Sequence, residues 1–400
     1  MKPKILLCLA LVLSVGLLGC STGGTLRKDV GGLLPGPSLD QHASFNGKQL
    51  IVGDTVWDVQ TGKKLQQFPV QPISVYAATL GPDGRRVLTE MINEASIFSE
   101  REPARLWDIA SGREIRRFDL SVDVEFSPDG NRILGTDAGN HVRMWDGATG
   151  QLLWMVQGLF NPGGSSLPLA YAASFSPDGR RLAVLSFRKI TVLDSTTGKE
   201  LCAIKQGDAE KFFNSVQYGP NGKVIVTDQI NGVVKIWDAT TGQNVRVFSL
   251  ATNSPQYWAY ALFTPNGQEV LSASENGLAV LWDAKSGKEI RRFQMGGTDR
   301  MLSHQMILSS DGKRLITQCK TARTGGGGPD QIEALWDLES GRLIRQFDEY
   351  GRVVGGYARG YEKIVGFSPV GETFITIMEG EPAALYDGAT GEIIRRYSSN

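Results

Sequence analysis

The chain has 400 residues, with 42 Lys and Arg against 42 Asp and Glu, 41% hydrophobic residues and 21% charged ones. That balance describes a globular protein with ample core material rather than a disordered chain. Neutrality excludes the basic surplus expected of a nucleic-acid binder. Three histidines, His42, His141 and His304, leave little material for a histidine-based metal centre. No metal or cofactor is expected. Glycine stands out at 48 residues beside 17 prolines, which predicts many turns and short strands.

The N-terminus is an address. Lys2 and Lys4 precede an unbroken apolar run from Ile5 to Leu18, too short to cross a bilayer as a helix but suited to the centre of a secretory signal. The run ends in Leu17-Leu18-Gly19-Cys20, which resembles the lipobox of bacterial lipoproteins. The resemblance implies a signal peptide over 1–19 and a lipid on Cys20, with several acyl chains giving stable anchoring. Ser21 in the next position implies the outer membrane where the cell has one. Residues 20–40, rich in Gly and Pro, read as the lipidated cysteine and a flexible tether reaching about 65 Å at ~3.3 Å per residue. Cys8 leaves with the signal, and no disulfide is expected between Cys202 and Cys319, which lie in non-adjacent repeats.

An internal repeat organises residues 41–400. Trp-Asp recurs at Trp57-Asp58, Trp107-Asp108, Trp145-Asp146, Trp237-Asp238, Trp282-Asp283 and Trp336-Asp337, with weaker copies at Leu193-Asp194 and Tyr386-Asp387. The eight copies are about 47 residues apart on average, and a Thr-Gly or Ser-Gly follows each. Upstream of each lies a second turn signal, seen as Phe-Ser-Pro-Asp-Gly at Phe126–Gly130 and Phe175–Gly179 and in looser forms elsewhere. Each unit therefore reads as four short strands, a to d. Pro and Gly close the a–b hairpin, strand c carries the Trp, and strand d follows the Thr-Gly.

Four-stranded units ending strand c in Trp-Asp resemble the WD-repeat β-propeller, over nearly the whole chain downstream of the tether. The fold class implied is all-β, a single propeller of four-stranded antiparallel blades. The first unit is short, which leaves two counts open: eight blades, the reading taken, or seven with a fragment beside the ring. The Gly-His pair typical of the family is missing from every unit, so the sheets are expected to rely on packing. The segment Asp146–Trp154 resembles a quinoprotein-type propeller repeat.

The aspartates Asp58, Asp108, Asp146, Asp194, Asp238, Asp283, Asp337 and Asp387 could form a ring of carboxylates, but their place before Thr-Gly or Ser-Gly favours capping of turn N–H groups. The pairs Arg116-Arg117, Arg291-Arg292 and Arg395-Arg396 fall on strand d beside Glu114, Glu289 and Glu392, and read as charges guarding an exposed edge. Ser186–Lys189 and Ser310–Lys313 match Ser-x-x-Lys outside any helix, without companion motifs. Gly325–Gly328 lacks the Lys-Ser/Thr of a phosphate cradle. No catalytic residue is assigned.

Binding is expected on the face opposite the tight a–b and c–d turns. The long insertions there are Ile92–Pro103, Gln157–Ala170, Cys319–Gln331 and Asp348–Gly360. The candidate interaction residues are Arg101, Glu102, Asn161, Arg323, Tyr350 and Arg352. The expected role is a non-enzymatic, lipid-anchored, monomeric scaffold for an envelope protein or peptide, touching the membrane through its lipid and no nucleic acid. Two alternatives stand beside it: a subunit of an outer-membrane assembly machine, and a propeller enzyme or small-ligand receptor using the central channel.

Overall fold

The computed structural model describes residues 43–397 apart from the segments 71–73, 94–99, 120–121, 138–140, 157–169, 187–188, 206, 208–212, 230–231, 250–258, 275–277, 295–300, 322–329, 349–361, 369–370 and 379–380. The signal, Cys20 and the tether lie outside the described residues. Among the described residues, thirty-two strands form eight antiparallel sheets of four, each built from consecutive strands.

Blade 1 comprises β1 (Ala43–Phe45), β2 (Gln49–Val52), β3 (Thr55–Asp58) and β4 (Lys64–Gln67). Blade 2 comprises β5 (Ser74–Leu80), β6 (Arg86–Asn93), β7 (Glu100–Asp108) and β8 (Glu114–Phe118). Blade 3 holds β9 (Val122–Phe126), β10 (Arg132–Thr136), β11 (Val142–Asp146) and β12 (Leu152–Val156). Blade 4 holds β13 (Ala170–Phe175), β14 (Arg181–Ser186), β15 (Lys189–Asp194) and β16 (Glu200–Lys205). In blade 5 are β17 (Phe213–Tyr218), β18 (Val224–Gln229), β19 (Val233–Asp238) and β20 (Asn244–Ser249). In blade 6 are β21 (Ala259–Phe263), β22 (Glu269–Ser274), β23 (Leu278–Asp283) and β24 (Glu289–Gln294). Blade 7 is β25 (Met301–Leu308), β26 (Arg314–Thr321), β27 (Asp330–Asp337) and β28 (Leu343–Asp348). Blade 8 is β29 (Glu362–Phe367), β30 (Thr373–Met378), β31 (Glu381–Asp387) and β32 (Ile393–Tyr397). The short first unit is a complete blade, so the ring has eight.

A four-stranded sheet of five-residue strands has two faces and cannot bury either one alone, so the core lies between blades. An aromatic pair recurs at these junctions. The Phe near the end of strand d packs on the Trp of strand c in the following blade: Phe68 on Trp107, Phe118 on Trp145, Phe248 on Trp282 and Phe293 on Trp336, with centroids 5.1 to 5.9 Å apart. Such pairs contribute about 0.5–1.5 kcal/mol beyond the area they bury.

The Trp also makes a bond that replaces reliance on packing alone. Its indole N–H donates to a strand-b hydroxyl in four blades: Trp107 to Thr89, Trp237 to Thr227, Trp282 to Ser272 and Trp336 to Thr317, at 2.7 to 2.9 Å. Register explains the choice, since each acceptor lies two residues beyond the residue paired with the Trp. In blade 4 the pair becomes apolar on both sides, Leu193 and Val184. In blade 3 the acceptor position is Gly135, and Trp145 Nε1 is buried without a hydrogen-bond partner.

The arginine pairs divide their work, which corrects their reading as edge guards alone. The second member stays outside and pairs with the Glu three residues back, Arg117 with Glu114 and Arg292 with Glu289. The first reaches into the next blade and donates to a carbonyl of its c–d turn. Arg291 Nη1 bonds Ser340 O and Arg395 Nη1 bonds Thr61 O, both at 2.8 Å, and the single arginine of β20, Arg246, bonds Lys285 O in the same way. Trp154 holds the same place in blade 3 and donates to Ser195 O at 2.9 Å. The receiving turns need glycine twice over. Gly150 has φ 67°, and a Cβ there would lie 2.0 Å from Cδ of Arg116.

The ring closes without a shared strand. Tyr397 of β32 packs with Trp57 and Val59 of blade 1, and its hydroxyl donates to Val59 O at 3.0 Å.

Replacing Thr227 by Val removes the acceptor of Trp237 while keeping the shape. Both residues are buried, so we expect a loss of about 1–3 kcal/mol for the stranded indole N–H, read as a lower midpoint in urea unfolding. Wild-type stability would show that the bond contributes nothing.

Candidate interaction face

The two ends of the ring differ in chemistry. At one end lie the a–b and c–d turns, locked by short side-chain bonds. In the a–b turn of blade 3, Ser127 Oγ donates to Asp129 at 2.5 Å, Asp129 accepts from Asn131 N, and Gly130 N bonds Ser127 O. In every c–d turn the strand-c aspartate accepts from the backbone N–H of the Thr or Ser three residues on, at 2.5 to 2.8 Å. These bonds hold all eight carboxyls below the ordinary carboxylate value. The hydroxyl bond is the largest cause at Asp58, Asp108, Asp194, Asp283 and Asp337. The backbone bond is the largest at Asp146, Asp238 and Asp387.

The opposite end carries the b–c and d–a connections. Two of the b–c connections expected as loop insertions begin and end in lengthened strands. In blade 2 the ladder continues through Met91 with Glu102, Ile92 with Arg101 and Asn93 with Glu100, after a bulge between Thr89 and Met91. Pro103, which cannot donate to the ladder, is passed over there. In blade 7 the ladder runs unbroken from Arg314 with Asp337 to Thr321 with Asp330. Strands of eight or nine residues in these two blades compare with four to six in the corresponding hairpins of blades 1, 3, 4, 5 and 6. Sequence spacing shows the extra length, and the register shows that strand pairing takes up part of it.

Arg101 and Glu102 therefore sit on β7, in the projecting hairpin of blade 2, and Glu102 is half-buried. Asn161, Arg323, Tyr350 and Arg352 lie outside the described residues, as do nearly all of Gln157–Ala170 and Asp348–Gly360. Cys202, on β16, is a free, partly buried thiol whose pKa is raised by burial.

A charged network on this face escaped the sequence reading. At the b–c end of blade 3, both oxygens of Asp137 lie 3.0 Å from His141 Nδ1, and Arg143 Nη2 lies 2.6 Å from Asp137. Arg143 Nη1 extends 3.1 Å to Asp119, in the connection leaving blade 2. Burial pushes the Asp137 carboxyl upward, but the His141 backbone and ring bonds and the Arg143 charge outweigh it and hold the group low. The only sequence signal was Asp-x-x-x-His-x-Arg across a hairpin turn. The network ties Asp137 and Arg143 to the connection from the neighbouring blade.

Two acidic side chains near the inner strands are committed to structure. Glu90 accepts from Val124 N of the next blade at 3.0 Å, and Asp228 accepts from the Ser215 hydroxyl. Among the described residues no group of His, Cys, Asp and Glu is arranged to hold a metal, and no helix is long and apolar enough to cross a membrane.

The fold thus defines an eight-bladed β-propeller with one tightly capped face and one face of variable connections. The family described as "Outer membrane protein assembly factor BamB" matches residues 52–293, and the chain belongs to it. The quinoprotein-like segment Asp146–Trp154 lies inside that match. No curated protein matches the chain. Among solved structures, the C-terminal WD40 domain of Sif2 is similar at 15% identity and TM-score 0.61, over 90% of this chain and 95% of that one. The computationally designed Ika8 protein is similar at 17% identity and TM-score 0.58, over 92% of this chain and 98% of that one. At these identities the two structures share the fold, and the WD-repeat resemblance holds at that level.

The lowered aspartates set a pH dependence. A carboxyl whose folded pKa is depressed contributes stability that is present above its unfolded pKa and lost as pH falls through the folded value. We expect thermal stability to fall steadily below about pH 4, and the decline to shallow in Asp238→Asn and Asp337→Asn variants. An unchanged melting temperature between pH 5 and pH 3 would contradict the role of these turns.

Proposed function

We propose that this chain is a non-enzymatic scaffold for protein assembly at the outer membrane, anchored by lipid on Cys20 and binding its partner on the face of b–c and d–a connections. The observation that carries the reading is the asymmetry of the ring. Capped turns and inter-blade bonds fix one face, while the paired strands of blades 2 and 7 extend further at the other. Rigid presentation lowers the ordering cost of binding and suits a docking platform. Membership of the BamB family supports the assembly role over a generic envelope scaffold. In this reading the propeller binds and does no chemistry, and the Gly- and Pro-rich stretch 21–40 holds it clear of the membrane.

Photo-crosslinking in cells tests the face. Probes at Arg101 and Tyr350 are expected to yield a discrete protein adduct, and a probe at Asp129, on the capped face, none. Recovery of outer-membrane assembly components in the adduct supports the assembly role, and a different envelope protein reduces the reading to a general scaffold. Equal adducts from all three positions would discard the face assignment.

The anchor has its own test. Labelled palmitate is expected to enter the wild-type chain and not Cys20→Ser, which should leave the membrane fraction. Labelling of both forms, or of neither, would remove the lipid from the reading.

A further inference from the structure

Among the described residues, each outer strand of the ring pairs with another strand along one edge only. A free edge offers unpaired backbone N–H and C=O groups to any other strand, and charge on the strand is the usual protection. Seven of the eight outer strands carry such charge: Lys64 on β4, Arg116 and Arg117 on β8, Glu200 and Lys205 on β16, Arg246 on β20, Arg291 and Arg292 on β24, Arg345 on β28, and Arg395 and Arg396 on β32. The strand β12, Leu-Leu-Trp-Met-Val, carries none. It also exposes Leu152, Leu153 and Met155 at 45%, 40% and 49%. The charge-free stretch runs in sequence from residue 147 to 177, in a chain where charged residues make up 21%.

We propose that β12 is a self-association edge, pairing antiparallel with β12 of a second copy of this chain. Three observations select a second copy. An antiparallel two-fold pair sets each strand against itself, so a strand without charge meets no like charge. The same pairing at β8, β24 or β32 brings two pairs of arginines together. Leu153 is passed over where the register with β11 shifts, and with Met155 it flanks the buried Trp154 and is exposed. Centred on Trp154, the pairing sets Leu153 of each copy beside Met155 of the other and gathers four apolar side chains. Finally, the edge is held in place. Trp154 is pinned to Ser195 O of blade 4, so little order is lost on pairing.

Two rings joined this way lie side by side with their faces reversed. A five-residue strand pair is small against the ~1,200 Å² of a standard stable interface, so the dimer is weak. Attachment of both copies to one membrane would raise their effective concentration and favour it. This departs from the monomer expected from the sequence, and it stands whether or not the scaffold reading does.

Sedimentation velocity of the purified full chain, from ~1 to ~200 µM, spans the micromolar range of weak complexes. It should show a concentration-dependent dimer that Leu153→Lys and Met155→Lys each abolish. Both side chains are exposed, so the variants should keep the wild-type melting temperature, which separates lost pairing from lost folding. In cells, Leu153→Cys should be joined to a second copy by a short bis-maleimide beyond the background of the parent chain, while Val245→Cys on β20 should not. A chain that stays monomeric throughout, a dimer indifferent to both lysines, or equal crosslinking at Val245→Cys would overturn the proposal.

Discussion

Every blade depends on the next one. A sheet of four short strands becomes stable only when both faces are covered, so the decisive contacts are those that strand d makes across the junction. An aromatic ring supplies the apolar part, Phe293 against Trp336 being one instance. A long donor side chain supplies the polar part by reaching a turn carbonyl that would otherwise face the gap. Arginine serves at Arg291 and Arg395, and the indole of Trp154 serves in blade 3. Different side chains in one register position meet one demand, a donor of sufficient reach. This explains how a propeller built from loosely similar repeats keeps a regular ring.

The ring was legible in the sequence because turns are local. Pro128 and Gly130 close the a–b hairpin, and Asp146 caps the turn that ends at Gly150, each within five residues. Contacts between blades were not legible, since their partners lie 24 or more residues apart in sequence. The bond from Arg291 to Ser340 looked like edge protection because the sequence places both arginines of the pair on one strand and hides their opposite directions. The Trp–hydroxyl bonds were hidden for a related reason. Thr227 is an ordinary strand residue until the register sets it two places beyond the partner of Trp237.

The candidate face was legible only in outline. Unequal spacing marked where residues are added in blades 2 and 7, and the ladder through Asn93 and Glu100 shows that they lengthen strands. The Asp137–His141–Arg143 network has a faint sequence trace, because Asp119 joins it from another blade. A paired backbone holds its residues at a fixed spacing that a loop of the same length does not.

Seven junctions of the ring are backed by a chain connection, and the eighth is not. Blades 1 and 8 meet through side chains alone, with Tyr397 and Arg395 reaching residues more than 330 positions away in sequence. That seam is the one junction of the eight with no chain connection across it. The ring is closed like a bracelet by its clasp, and the clasp is a tyrosine and an arginine of the last strand.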